Sequence, residues 1–113
     1  MEKFEKLAAW GVDFSATMER FLDDKDLYDD CLQTFIQDEG FAALEQALKD
    51  KDYEQAFADA HTLKGVAGNL GLTPLFDVIC VLVEALRAHD YSHVDEQYAA
   101  VMKSFADFKD MLK

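Results

Sequence analysis

The chain has 113 residues, half of them apolar, and carries 11 Lys and Arg against 23 Asp and Glu for a formal net charge of −12. That length supports one hydrophobic core, so a single domain over 1–113 is expected. A surface this acidic repels phosphate backbones and anionic lipid, which argues against nucleic acid and membranes as partners.

No run approaches the ~18 uninterrupted apolar residues that a membrane-spanning helix requires. The start, Met1-Glu2-Lys3-Phe4, lacks the apolar centre of a signal peptide. A cytoplasmic chain beginning at Met1 is therefore expected. Cys31 and Cys80 sit in apolar helical patterns without a ligand-like spacing, and the expectation is two buried, reduced thiols.

One proline and five glycines leave few breaks, and the apolar spacing is helical throughout. Two short helices are predicted first, about Glu2 to Trp10 and Asp13 to Leu22, divided by Gly11. A third runs from an Asp26 N-cap to about Asp38, with Leu27, Tyr28, Cys31, Leu32, Phe35 and Ile36 on one face. A fourth follows Gly40 through Leu48, as a separate helix or a bent continuation of the third. The fifth opens at Asp52 and ends at Gly71, which suits the left-handed position after a helix. Thr73 is then expected to cap a sixth helix, with Pro74 in its first turn, running to about Ala88. After Asp90-Tyr91-Ser92, a last helix spaces Val94, Tyr98, Val101, Phe105, Phe108 and Leu112 by fours and threes. Short connections make neighbours antiparallel. The predicted fold is all-α, an antiparallel up-and-down four-helix bundle with short additional N-terminal helices.

The fifth helix carries the informative residue. At about 100° per residue, Ala56, Ala60, Leu63, Ala67 and Leu70 form one small, apolar stripe. Phe57, His61, Lys64, Gly65 and Gly68 form a second stripe facing well away from it. His61 is thus placed off the core. A glycine inside a helix costs about 0.8–1.0 kcal/mol relative to alanine, so two of them on the His61 face call for a compensating role. Access is the physical account: without side chains there, a partner backbone can come close to the imidazole.

Lys64, one turn from His61, brings a flexible ammonium beside the imidazole. A point positive charge there suits an anionic group brought to the ring. Phe57 is either an apolar contact for a partner or a flank of the core. If the fifth and sixth helices reverse near Leu72, His61 lies opposite Val83 or Glu84, and Arg87 lies opposite Phe57. Glu84 then becomes a candidate to accept a hydrogen bond from the imidazole, and Arg87 a source of positive charge at the edge. The alternative for both is a solvated charge on a helix face.

The run Ala60-His61-Thr62-Leu63-Lys64-Gly65-Val66-Ala67-Gly68-Asn69-Leu70-Gly71 resembles the signature of the histidine-containing phosphotransfer (HPt) domains of two-component relays. The resemblance extends over roughly Leu27 to Arg87, through Leu27-Tyr28, Leu32, Phe35, Ala43-Leu44, Ala47-Leu48 and Asp52-Tyr53. It implies a four-helix bundle in which His61 accepts phosphate, Lys64 assists, and Gly65 and Gly68 keep the docking face open. It also implies a shuttle between receiver domains of response regulators or hybrid sensor kinases, with Mg²⁺ on the receiver and no cofactor here. Two positions depart from the family pattern. Val66 stands where a smaller or hydroxyl residue is common, and the polar residue expected across from the histidine falls on Val83 as readily as Glu84.

Three other classes compete. A pure interaction module would bind a receiver or another protein on the same face without accepting phosphate; intact His61 and Lys64 favour transfer. A metal-binding bundle would use His89 and His93, but an i, i+4 pair chelates only on a continuous helix, and Asp90-Tyr91-Ser92 reads as a break. A hydrolase lacks support, since Ser15, Ser92 and Ser104 have no histidine at a recognisable motif spacing. Gly65-Val66-Ala67-Gly68 also lacks the setting and Gly-Lys-Ser/Thr ending of a phosphate loop, so no ATP binding or self-phosphorylation is expected. A monomer is the expected state.

Overall fold

The computed structural model describes residues 2–113; Met1, and with it the expectation about where the chain starts, lies outside them. The described residues form seven helices: α1 (Glu2–Trp10), α2 (Phe14–Arg20), α3 (Lys25–Phe35), α4 (Gly40–Lys49), α5 (Tyr53–Asn69), α6 (Thr73–Arg87) and α7 (Val94–Met111).

The boundaries follow from side chains that satisfy exposed backbone donors. Asp52 caps α5 by accepting from the Gln55 amide at 3.2 Å. At the other end the Leu72 amide donates to the Ala67 carbonyl at 3.0 Å and the Gly71 amide to Gly68 at 3.1 Å. That pair is a Schellman motif, and Gly71 adopts the left-handed φ of +73° it demands. Two expected caps are corrected. Asp24, not Asp26, caps α3, accepting from the Leu27 amide at 3.0 Å. It reaches that position because Leu22 and Asp23 turn left-handed just before it, with φ of 54° and 60°. Thr73 does not cap α6 either. Leu72 holds that position without a side-chain bond, and Thr73 is already the first helical residue. The second helix is also shorter than expected, because the turn through Leu22 and Asp23 stops it at Arg20.

Helices α4, α5, α6 and α7 pack in sequence, α4 also meets α7, and the four form an up-and-down bundle. The turn at Ile36–Glu39 separates α3 from α4, yet together they run along the whole of α5. Gly40 lies against Leu63, and the Tyr28 hydroxyl donates to the Leu70 carbonyl at 2.7 Å. Phe35, Phe41, Phe105 and Phe108 fill the space between these helices and α7, with Phe41 and Phe105 stacked at 3.8 Å. The leading helices fold back onto this frame. Trp10 of α1 stacks on Phe108, while Phe4, Phe14 and Phe21 surround the Tyr28 ring.

The predicted face of the last helix is inward: Val94, Val101, Phe105 and Phe108 are buried, Tyr98 and Leu112 partly so. Cys31 and Cys80 are free thiols, but half-buried rather than buried, because each sits at the border of its helix's apolar face. His89 lies in the break before α7 with a left-handed φ of 57°, and its Nδ1 is 2.9 Å from the Tyr91 hydroxyl. His93 sits at the α7 N-cap position. The two are not on one continuous helix.

Two tyrosines give the bundle an alkaline limit. Burial, and then the Glu45 carboxylate beside it, push the Tyr98 hydroxyl up to about 12. Burial raises Tyr28 as well, against a smaller opposing effect of Arg20. An unfolded tyrosine ionises near ~10, so the stabilisation from these groups is complete below pH ~10 and is lost as pH rises through the folded values. The urea midpoint should therefore fall from pH ~10 upward, and less steeply in Tyr98→Phe. An equally steep fall in that variant would contradict the assignment to Tyr98.

Candidate functional site

Helix α5 sits between α4 and α6, and its inward stripe is consumed by that packing. Ala56, Ala60 and Ala67 are fully buried, Leu63 and Leu70 nearly so. Three of these five side chains are methyl groups, which allows close approach of the neighbouring helices and holds α5 in a fixed rotation. His61, on the opposite stripe, is exposed. Its ring makes no hydrogen bond among the described residues; Phe57 is its aromatic neighbour, with ring centroids 5.8 Å apart. Lys64, half-buried, has no carboxylate or carbonyl partner among the described residues. Both ring and ammonium are free to meet a ligand.

The two glycines differ. A methyl group built on Gly65 would meet nothing within 4 Å, so the surface beside His61 and Lys64 is open. A methyl group on Gly68 would lie 3.2 Å from the Phe76 ring of α6. Gly68 therefore lies against α6, whereas Gly65 does not. Gly68 lets Phe76 pack close, and access to the imidazole rests on Gly65.

The α5–α6 pairing follows the expected register. The Arg87 guanidinium lies over the Phe57 ring at 5.1 Å, and Gly68 meets Phe76, which puts Val83 level with His61. Val83 is fully buried and offers the ring no polar partner. Glu84 is exposed and pairs with Arg87 instead, with Nε to Oε2 at 3.3 Å. A hydrogen bond from His61 to Glu84 is thus not made. One helix turn separates Glu84 from Arg87, and that short reach wins over the gap between helices. Phe57 is half-buried: it flanks the core while presenting one face to Arg87.

One residue that sequence reading does not single out is Arg20. From α2 it reaches back to the end of α5, where its Nε donates to the Asn69 carbonyl at 3.1 Å and its Nη2 to the Gly68 carbonyl at 3.3 Å. The separation of 48 residues leaves no local spacing signal that could reveal it.

What the arrangement offers is an exposed imidazole, an unpaired ammonium one turn on, bare backbone beside them at Gly65, and the Glu84–Arg87 pair at the edge. The sequence model of the Hpt domain matches residues 26–113. The chain belongs to the Hpt domain family. The Hpt domain carries a histidine phosphotransfer function in phosphorelays, where such domains interact with receiver domains. The fold is similar to the crystal structure of histidine-containing phosphotransfer protein B from Pseudomonas aeruginosa PAO1. That match has a TM-score of 0.81 and 23% identity, and covers 90% of each chain. No curated protein matches the chain in sequence. Helices α1 and α2 precede the segment that matches the Hpt model.

The unequal glycines of this Hpt domain give a stability test. Gly65→Ala should raise stability by about 0.8–1.0 kcal/mol, the helix-propensity difference, since its methyl group meets nothing. Gly68→Ala should gain less than half of that or lose stability, because Phe76 must yield. Equal gains in urea denaturation would contradict the distinction.

Proposed function

We propose that His61 is the phosphoryl acceptor of this Hpt domain, taking the group from a receiver's aspartyl phosphate and later giving it to another receiver. The observation that carries this reading is the exposed, unpaired imidazole on the face of α5 that the core does not use. Neither His89 nor His93 has such surroundings. His89 is held against the Tyr91 hydroxyl, and His93 sits at the start of α7 beside Glu96 at 3.9 Å.

In the transfer step the unprotonated ring nitrogen of His61 attacks phosphorus in line. A nitrogen–phosphorus bond forms while the phosphorus–oxygen bond to the receiver aspartate breaks, and the aspartate leaves as carboxylate. The other ring nitrogen keeps its proton through the step. Lys64 places its ammonium against the phosphoryl oxygens as charge spreads over them. Gly65 lets the receiver backbone approach, and Phe57, Glu84 and Arg87, with Gly68 beneath Phe76, complete the docking face. Mg²⁺ belongs to the receiver side in this reading, and the chain brings no cofactor of its own. The reverse step uses the same groups.

The same reading has the chain act as a monomer in the cytoplasm. Two unpaired cysteines are in keeping with the cytoplasmic part of that reading, and no helix among the described residues is long and apolar enough to cross a membrane.

His61→Gln should abolish transfer of label from a phosphorylated receiver while leaving the helical signal and melting temperature near those of the wild type. Lys64→Ala should slow transfer roughly tenfold. That is less than the 10²–10³ typical for loss of an enclosed donor, because this ammonium stands at a solvent-screened surface. Label acquired by His61→Gln at the wild-type rate would refute the assignment.

A further inference from the structure

In-line attack requires one nitrogen of the His61 ring to be aimed at phosphorus, yet no hydrogen bond among the described residues fixes that ring. Val83, level with it on α6, is buried and apolar, and Glu84 is paired with Arg87. What meets the imidazole is the Phe57 ring, with centroids 5.8 Å apart and an interplanar angle of 36°. We infer that Phe57 is a positioning residue for phosphoryl transfer: its ring limits the rotation of the His61 imidazole and so aims the attacking nitrogen outward. This inference rests on the reading of His61 as the acceptor, and it goes beyond the place of Phe57 at the edge of the docking face.

Helix geometry brings the two rings together. Residues four apart are neighbours on one face, and helical side chains lean toward the N-terminus, over the preceding turn. The His61 ring is thereby laid toward Phe57. At 5.8 Å the pair falls within the ~4.5–7 Å at which aromatic rings attract one another. An exposed imidazole without neighbours samples its rotamers freely. A ring on one side removes the conformers that would turn the nitrogens away.

The two rings differ in their freedom, which gives the contact a direction. His61 is exposed, whereas Phe57 is half-buried and packed against the core. The Arg87 guanidinium also lies over the Phe57 ring, 5.1 Å from its centroid, a cation–π contact that ties the ring to α6. Phe57 is held by the bundle, and the imidazole is held by Phe57. An apolar ring suits this task because it restricts rotation without occupying either ring nitrogen. One nitrogen stays unprotonated for attack and the other keeps its proton. Restricting the ring beforehand removes part of the ordering cost from the transfer step.

The contact can be read first in the unaltered full chain. A nuclear Overhauser effect between the ring protons of Phe57 and His61 is expected in solution, and its absence overturns the inference. Phe57→Leu keeps an apolar side chain against the core and removes the ring. It should move the His61 ring-proton shifts toward those of a histidine in an unstructured peptide. Single-turnover transfer from a saturating phosphorylated receiver should slow about fivefold in that variant. That is ~1 kcal/mol at about 1.4 kcal/mol per tenfold in rate, the size of an aromatic contact. Phe57→Tyr restores the ring and should recover most of the loss. The hollow that Phe57 borders with Tyr53, Leu86 and Tyr91 has a volume of about 370 Å³, which leaves room for the added hydroxyl. A saturated rate in Phe57→Leu within twofold of the wild type, a defect confined to the half-saturating receiver concentration, or an equal loss in Phe57→Tyr overturns the inference. Failure of the His61 reading would show separately, as label persisting in His61→Gln.

Discussion

The packing of α5 constrains everything else in this molecule. The helix lies between α4 and α6 and meets them with side chains that are mostly methyl groups, Ala56, Ala60 and Ala67, with Leu63 and Leu70 filling the remainder. Small side chains allow close packing, and close packing leaves little freedom of rotation about the helix axis. Once that face is fixed inward, the residues on the other side are fixed outward. His61 is exposed for a reason that lies in the alanines, not in the histidine.

The ends of α5 extend the same logic. Asp52 starts the helix and Gly71 stops it with a left-handed turn, so its length and the phase of its faces are set locally. The Gly71 turn sends α6 back along α5 in a register that buries Val83 level with His61. A buried valine there and a Glu84–Arg87 pair beside it leave the imidazole without a protein partner. A ring tied down by hydrogen bonds would have to exchange them for phosphate; this one exchanges only water. Lys64, equally uncommitted, adds charge without a competing ion pair.

Much of this was legible in the sequence because it is periodic. The alanine stripe, the His61 stripe, the Gly71 stop and the facing of Arg87 and Phe57 all follow from 3.6 residues per turn and one reversal. The details that escaped depend on contacts between distant segments or on small energy differences. Asp24 and Asp26 are both reasonable caps for α3, and only the left-handed turn at Leu22 and Asp23 selects the first. Thr73 looks like a cap by residue type, but the Schellman turn brings Leu72 to that position. Gly65 and Gly68 look equivalent on a wheel; Phe76, a residue of another helix, makes them different. Arg20 was invisible for the same reason, since its partners lie 48 and 49 residues further on.

All three histidines are exposed, and His61 is the one proposed to carry the phosphoryl group. Mapping the modified residue by mass spectrometry of the wild-type chain, after exposure to a phosphorylated receiver and with alkaline handling to preserve the nitrogen–phosphorus bond, tests it most directly. A single added phosphate is expected in the fragment containing His61. Phosphate found instead on His89, on His93 or on a serine would contradict it.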